Sequence, residues 1–270
     1  MNTTTVIVGS STGGVRAAQS LRLEGYEGDI VLVGAETELP YDKPPLSKSV
    51  LSGKAEESSI RLLTREQAEE ASIRLLLGHA ATGIDVAGNL LYLQDHEPLH
   101  FDNLVIATGA SARPSPWGQR PGIHVLRSLD DARKLRADLL KGGELAVIGA
   151  GFIGAEAAAT ARTLGLEVTV IDPMPIPMSI FNAEIAQLFG ELHRNNGVTT
   201  IFGTGVEAIE GEHGSFSVRL TNGQTVQAAT VLIGIGAVPN DAWLASSGLL
   251  VDNGVVIAEG TPTADVEASE

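Results

Sequence analysis

Cysteine is absent from the 270 residues. Without thiols the chain has no disulfide, no thiolate for a metal and no redox-active cysteine mechanism. Basic residues are also few: 18 Lys and Arg stand against 33 Asp and Glu, for a formal net charge of -15. They form no dense cluster, so the basic face that nucleic acid requires is missing. The excess of acid is read as a solubility feature. No apolar run approaches the ~20 residues of a membrane span. Met1 to Thr5 has no basic segment ahead of the short apolar strand Val6-Ile7-Val8. A secretory leader is therefore not expected, and a cytoplasmic location is. The histidines, among them His79, His96, His100, His124 and His193, show no ligand spacing, so no metal site is expected.

What the chain does have is apolar residues, at 43%, and 31 glycines. The first allows well-filled cores in one large domain or two ordinary ones. The second is well above the usual ~7% and points to turns where backbone approaches something closely. The positions of the glycines reveal an internal echo. Val6-Ile7-Val8 leads into Gly9-Ser10-Ser11-Thr12-Gly13-Gly14, a helix to Leu23 and the strand Ile30 to Val33. Leu145 to Ile148 leads into Gly149-Ala150-Gly151-Phe152-Ile153-Gly154, a helix through Leu164 and the strand Val168 to Ile171. Each is a βαβ unit, and strands this apolar predict parallel sheets covered on both faces. Strands are also predicted at Tyr92 to Gln94 and from His100 to Ile106, a capped helix over Ser128 to Leu140, and a hairpin turning at Thr221-Asn222-Gly223.

The second unit carries the complete dinucleotide fingerprint, Gly149-x-Gly151-x-x-Gly154, between a strand and a helix. The first glycine makes the turn, the second admits a pyrophosphate to the backbone, and the third packs helix on strand. The helix N-terminus supplies free N–H groups and a positive dipole end. Asp172 ends the second strand, where a carboxylate binds the adenosine ribose and repels a 2′-phosphate. No Arg, Lys or His follows between Pro173 and Glu184 to hold such a phosphate, so NADH is expected over NADPH. The first unit keeps Gly9 and Gly14, but Ser11 replaces the middle glycine. A Cβ there is expected to crowd the pyrophosphate, with about 1–2 kcal/mol of left-handed strain besides, partly relieved by Gly13. Glu36, taken as ending the second strand, can bind a ribose.

Four further segments carry a family resemblance. Tyr41-Asp42-Lys43-Pro44-Pro45-Leu46-Ser47-Lys48 resembles the PYxRPPLSK signature of FAD-dependent ferredoxin and rubredoxin reductases of oxygenase systems. Leu104 to Ala110 resembles their LVIATGA strand, Val125 to Ala132 their VLRTLxDA helix start, and Gly234 to Asn240 their GxGxxPN turn. These match in order and spacing along nearly the whole chain.

The resemblance implies an α/β fold of two Rossmann-like FAD- and NAD(P)-binding domains in three layers. It divides the chain into residues 1–112 as the first FAD-binding segment, 113–238 as the NAD-binding domain and 239–270 as an incomplete return to the FAD domain. The family continues with a PxIxAAGD strand and a C-terminal interface domain, which this chain is expected to lack. By carry-over, Gly9, Ser11, Thr12, Gly13 and Gly14 face the FAD pyrophosphate, and Glu36 or Ala35 its ribose. Ala81 approaches the adenine, while Lys43, Pro44 and Lys48 lie by the flavin. Ala107, Thr108, Gly109, Arg127 and Gly236 follow along the cofactors, and Gly149, Gly151, Phe152, Ile153, Gly154 and Asp172 hold NADH. Lys43 replaces an arginine and loses its bidentate fork. Lys48 and Glu156 are the implied catalytic pair: a lysine ammonium beside flavin stabilises negative charge on the reduced ring. The implied activity is hydride transfer from NADH to FAD, then electron transfer to a ferredoxin- or rubredoxin-type carrier. The open alternative is a non-catalytic nucleotide-binding module that has lost stable FAD binding.

Overall fold

The computed structural model describes residues 3–257. Calls that fall on residues 258–270 lie outside the described residues. Among the described residues the contacts divide the chain into two units, one built from residues 3–42, 60–111 and 238–257, the other from 43–59 and 112–237.

In the first unit, Thr4–Val8, Asp29–Gly34, Ile73–Leu77 and Asn103–Ile106 form a four-stranded parallel sheet with Thr4–Val8 inside it. Strand alternation sends Val6 and Val8 to one face and Ile7 to the other. Val6, Val8, Val31 and Val33 pack beneath a three-stranded antiparallel sheet that contributes Ile84, Leu91 and Leu93. On the opposite face Ile7, Ile30 and Leu32 meet Val15 and Ala18 of the helix Thr12–Leu23. Both faces are covered, which explains why these strands read as continuous apolar runs.

The second unit repeats the plan. A five-stranded parallel sheet places Leu145–Ile148 between Val168–Asp172 and Thr230–Ile233, with Val198–Phe202 and the short Ile123–His124 at its two edges. Ala146, Ile148 and Ile171 pack against Phe216, Val218 and Leu220 of an antiparallel three-stranded sheet. The helix Phe152–Thr163 covers the other face with a small-residue side of Ala155, Ala158 and Ala161. The hairpin is present as expected, Ser215–Leu220 pairing with Thr225–Ala228. So is the helix Leu129–Leu139, whose N-cap Ser128 forms a capping box with Asp131.

Two features differ from expectation. The stretch expected as strand from His100 to Ile106 is broken: His96–His100 belongs to the antiparallel sheet and Asn103–Ile106 to the parallel one. Residues 43–59, expected with the first segment, have their contacts in the second unit. Arg133 there holds Glu57 through its Nε (2.7 Å) and Nη2 (2.5 Å). A Cβ on Gly53 would stand 2.2 Å from the Arg136 guanidinium, so the segment lies hard against this helix.

Candidate functional site

The two glycine turns are built alike, atom for atom. Gly9 N–H donates to Val33 O (2.8 Å) and Ala107 N–H to Val8 O (2.7 Å). The counterparts are Gly149 N–H to Ile171 O (2.8 Å) and Gly234 N–H to Ile148 O (2.7 Å). Gly9 and Gly149 sit at φ +120° and +106°, and a Cβ on either would stand 2.0 and 2.2 Å from the oxygens of Ala107 and Gly234. On Gly14 and Gly154 a Cβ would fall 1.8 and 2.0 Å from the oxygens of Gly9 and Gly149. These four glycines bring helix and strand together. Gly151 differs, because a Cβ there meets nothing within 4 Å. Its glycine leaves open space above the turn, as a dinucleotide pyrophosphate requires.

The helices that follow are exceptional among the longer ones. Those beginning at Arg65, Leu129 and Ala183 are capped by the side chains of Thr64, Ser128 and Asn182. Those beginning at Thr12 and Phe152 have no side-chain cap and no acid in the first turn. Their leading N–H groups and dipole ends remain available to an anion. In both sheets the turn also lies where strand order reverses, between the next strand in sequence and a much later one. Open α/β sheets bind ligands at that position.

The strain expected at Ser11 does not exist. Ser11 is the N-cap residue of its helix with φ -106° and ψ -161°, extended backbone that any residue adopts, and Gly151 is similar at φ -79°. The middle fingerprint position asks for a small residue, not for left-handed geometry. Thr12 is exposed at the helix start, its hydroxyl 3.4 Å from the Asp42 carboxylate, and Gly13 is exposed beside it.

The acids behave differently from each other. Asp172 accepts from Ala150 N–H (2.6 Å) through one oxygen and from Met174 N–H (2.8 Å) through the other. It therefore braces the glycine turn itself and keeps further lone pairs for a ribose. In the first unit the residue level with Asp172 is Gly34, because Val33 pairs with Val8 as Ile171 does with Ile148. The strand ends at Gly34, so Glu36 lies two residues beyond it and not at its end. The Glu36 carboxylate accepts from Tyr41 O–H (2.5 Å), and Ala35 is exposed next to it.

Lys48 and Glu156, separated by 108 positions, meet within the second unit: Lys48 Nζ lies 2.7 Å from Glu156 Oε2. Nζ also donates to Pro44 O (3.1 Å). The same Glu156 oxygen accepts from the hydroxyl of Ser47 (2.5 Å), a residue only 2% exposed. Thr160, one helical turn past Glu156, donates to Ser47 O (2.7 Å). The sequence marks Ser47 only as part of the PPLSK-like segment and does not mark Thr160, although the Glu156-x-x-x-Thr160 spacing shares one helix face.

The other expected residues occupy the following positions within their own units. Phe152 and Ile153 open their helix, 50% and 40% exposed. Ala107, Thr108 and Gly109 follow the strand beside Gly9. Asn240 clamps that turn, donating to Thr108 O (2.9 Å) while its own carbonyl accepts from the Thr108 hydroxyl (2.8 Å). The sequence singles out Asn240 only through the GxGxxPN turn. Ala81 begins a strand of the first unit's antiparallel sheet, and Arg127 precedes the cap of the helix Leu129–Leu139, its N–H donating to Asp131 (3.0 Å). Gly236, at φ +107°, has its carbonyl taken by Arg113 N–H (3.0 Å). Lys43 precedes the 3-10 turn Pro44–Ser47, and Pro44 is exposed. Among the described residues no helix is long and apolar enough to cross a membrane.

Two Rossmann-like units, each with an uncapped glycine turn at its switch point, define an α/β protein with two dinucleotide-type cradles. Known proteins place it more closely. The chain is 39% identical to a rhodocoxin reductase of Rhodococcus erythropolis, covering 98% of this chain and 63% of the relative. It is 37% identical to the ferredoxin--NAD(+) reductase subunit of a benzene 1,2-dioxygenase system of Pseudomonas putida, over 93% of this chain and 62% of that one. A solved covalent complex of putidaredoxin reductase with putidaredoxin superposes with a TM-score of 0.91 and 37% identity, over 96% of this chain and 64% of that one. The chain thus spans a little under two thirds of these relatives. The profile of the pyridine nucleotide-disulphide oxidoreductases matches residues 3–267, and the chain belongs to that family. The disulphide of the family name has no counterpart among its residues, which include no cysteine.

Proposed function

We propose that this chain is the nucleotide-binding portion of an FAD-dependent reductase, taking hydride from NADH and serving a ferredoxin- or rubredoxin-type carrier. The observation that carries this reading is the pair of matched cradles, each with an uncapped helix, the second with open space at Gly151. The relatives' names, a rhodocoxin reductase and a ferredoxin--NAD(+) reductase subunit, supply the acceptor class and the nicotinamide.

In this reading residues 1–112 and 239–270 make the FAD-binding domain, with residues 43–59 packed in the other unit, and residues 113–238 make the NAD-binding domain. Gly9, Ser11, Thr12, Gly13 and Gly14 hold the FAD pyrophosphate, Glu36 and Ala35 lie at its ribose, and Ala81 at its adenine. Ala107, Thr108, Gly109, Lys43, Pro44, Arg127 and Gly236 line the remainder. Gly149, Gly151, Phe152, Ile153 and Gly154 hold the NADH pyrophosphate, and Asp172 excludes a 2′-phosphate by charge. When bound, FAD supplies the acceptor for a two-electron hydride and releases electrons one at a time. Lys48 places a fixed cation where negative charge develops, and Glu156 holds that cation in place.

The test is spectroscopic. Purified chain, incubated with FAD and desalted, retains flavin absorbance near stoichiometry, and anaerobic NADH bleaches it faster than NADPH does. Lys48→Met slows the bleaching about tenfold or more while leaving NADH affinity within about twofold. A colourless protein that binds NADH yet stays inert with added FAD would establish the nucleotide-binding module instead.

A further inference from the structure

We propose that Ser47 is a positioning residue for the Lys48–Glu156 pair, with Thr160 as its anchor. This inference rests on the NADH:FAD reading for its kinetic consequence, and on geometry alone for its structural one.

The ion pair needs help to be a fixed object. Its side chains are 50% and 29% exposed, and an ion pair that open contributes little and holds no single geometry. Glu156 has three rotatable side-chain bonds and Lys48 four, and fixing them in one geometry costs conformational entropy. What restrains them comes from the interior. Ser47 is 2% exposed, and its hydroxyl donates to Glu156 Oε2 at 2.5 Å. Its other acceptor in reach, Pro44 O, stands at 3.5 Å, so the single hydroxyl proton goes to the carboxylate. A hydrogen bond to a charged acceptor is roughly twice as strong as a neutral one.

Ser47 is itself held from both sides. It closes the 3-10 turn Pro44–Ser47, which opens on two prolines with fixed φ. Its carbonyl accepts from the hydroxyl of Thr160, 8% exposed, at 2.7 Å. Glu156 and Thr160 are four apart on the helix Phe152–Thr163, so one helix face grips one turn twice. Both donors to Glu156, the Ser47 hydroxyl and the Lys48 ammonium, use Oε2. The carboxylate is therefore held by one oxygen, leaving Oε1 and the remaining Lys48 N–H to meet a bound nucleotide.

The test is a double-mutant cycle with two readouts on the full chain. In urea denaturation without nucleotide, Ser47→Ala and Glu156→Ala are each destabilising, and the double variant falls short of their sum. The expected coupling is about tenfold in the folding equilibrium constant. In single-turnover flavin reduction, Ser47→Ala lowers the rate constant about tenfold with NADH affinity within about twofold. In the Glu156→Ala background the same change lowers it no further. Thr160→Val, which removes the anchor and keeps the shape, has the same pattern at about threefold. Additive urea effects, or an equal slowing by Ser47→Ala with and without the Glu156 carboxylate, overturn the proposal. Should Ser47→Ala not fold, Thr160→Val decides by the same two criteria. If the unmodified chain shows no flavin reduction, the proposed function falls, and the urea cycle still decides the role of Ser47.

Discussion

Glycines with the same role in the fingerprint carry different physical loads. Gly154 packs helix against turn: a Cβ there would lie 2.0 Å from Gly149 O, a rigid backbone atom. Gly154→Ala should therefore cost about 1–3 kcal/mol in urea denaturation, the usual range for forced overpacking. Gly151 meets no protein atom within 4 Å and sits at φ -79°, which alanine adopts freely. Gly151→Ala should leave stability within about 0.5 kcal/mol of the parent. Its effect should appear in NADH titrations, as a loss of about tenfold or more in affinity, because the added methyl occupies the ligand's space. Equal stability losses from the two alanines would show that Gly151 serves the fold and not a nucleotide. The same comparison explains why Ser11 is tolerated in the first turn. The sequence pattern marks the middle position as small, but only the backbone angle shows that it is unstrained.

At the scale of elements, the edge strand Ile123–His124 is tied down by a buried carboxylate. Asp138, on the helix Leu129–Leu139, faces His124 Nε2 (2.7 Å), His213 Nε2 (2.9 Å) and Lys141 Nζ (2.6 Å). Burial pushes the Asp138 carboxyl up, but hydrogen bonds from Lys141 and His124 and the charge of the histidines outweigh it, and the net direction is down. A carboxyl held below its unfolded pKa stabilises the fold fully above the ordinary carboxylate range, near pH 4. That contribution is lost as pH falls through the lowered folded value. Asp138→Ala should cost about 1–3 kcal/mol at neutral pH by stranding its donors. The difference between variant and parent should shrink below about pH 4 in acid-denaturation curves. A difference that persists undiminished at low pH would assign the effect to packing. The capping boxes at Ser128 and Thr64 are short-range and follow a readable pattern. The Asp138 cluster joins a strand, a helix and the hairpin turn at His213, and nothing in the local pattern announces it.

For the whole molecule, each of the two units has its own parallel sheet and its own buried cluster. Ligands that bind one unit should stabilise that unit first. A ligand at 100 times its Kd adds about 2.7 kcal/mol to the folded state it binds. In calorimetry, FAD should chiefly raise one unfolding transition and NADH chiefly the other, with Asp172→Ala abolishing only the NADH shift. A single transition that both nucleotides move equally would mean that the units unfold as one body. Residues 43–59 should follow the NADH-sensitive transition, since their contacts lie in the second unit. Hydrogen exchange around Leu46 and Val50 would show it.

The sequence by itself determined the two strand–turn–helix–strand cradles, the capped helix at Ser128 and the hairpin at Asn222. These depend on periodicity, glycine and capping within a few residues, so local chemistry decides them. It also paired Lys48 with Glu156, though by resemblance and not by physics. Only the tertiary structure decided the contacts that close long loops: Ser47 with Glu156 across 109 positions, and Thr108 with Asn240 across 132. It likewise decided that Gly34, not Glu36, stands level with Asp172, because register belongs to the paired strands and not to either alone. The signature that contains Ser47 gives its hydroxyl no role until the fold buries it against the carboxylate it holds.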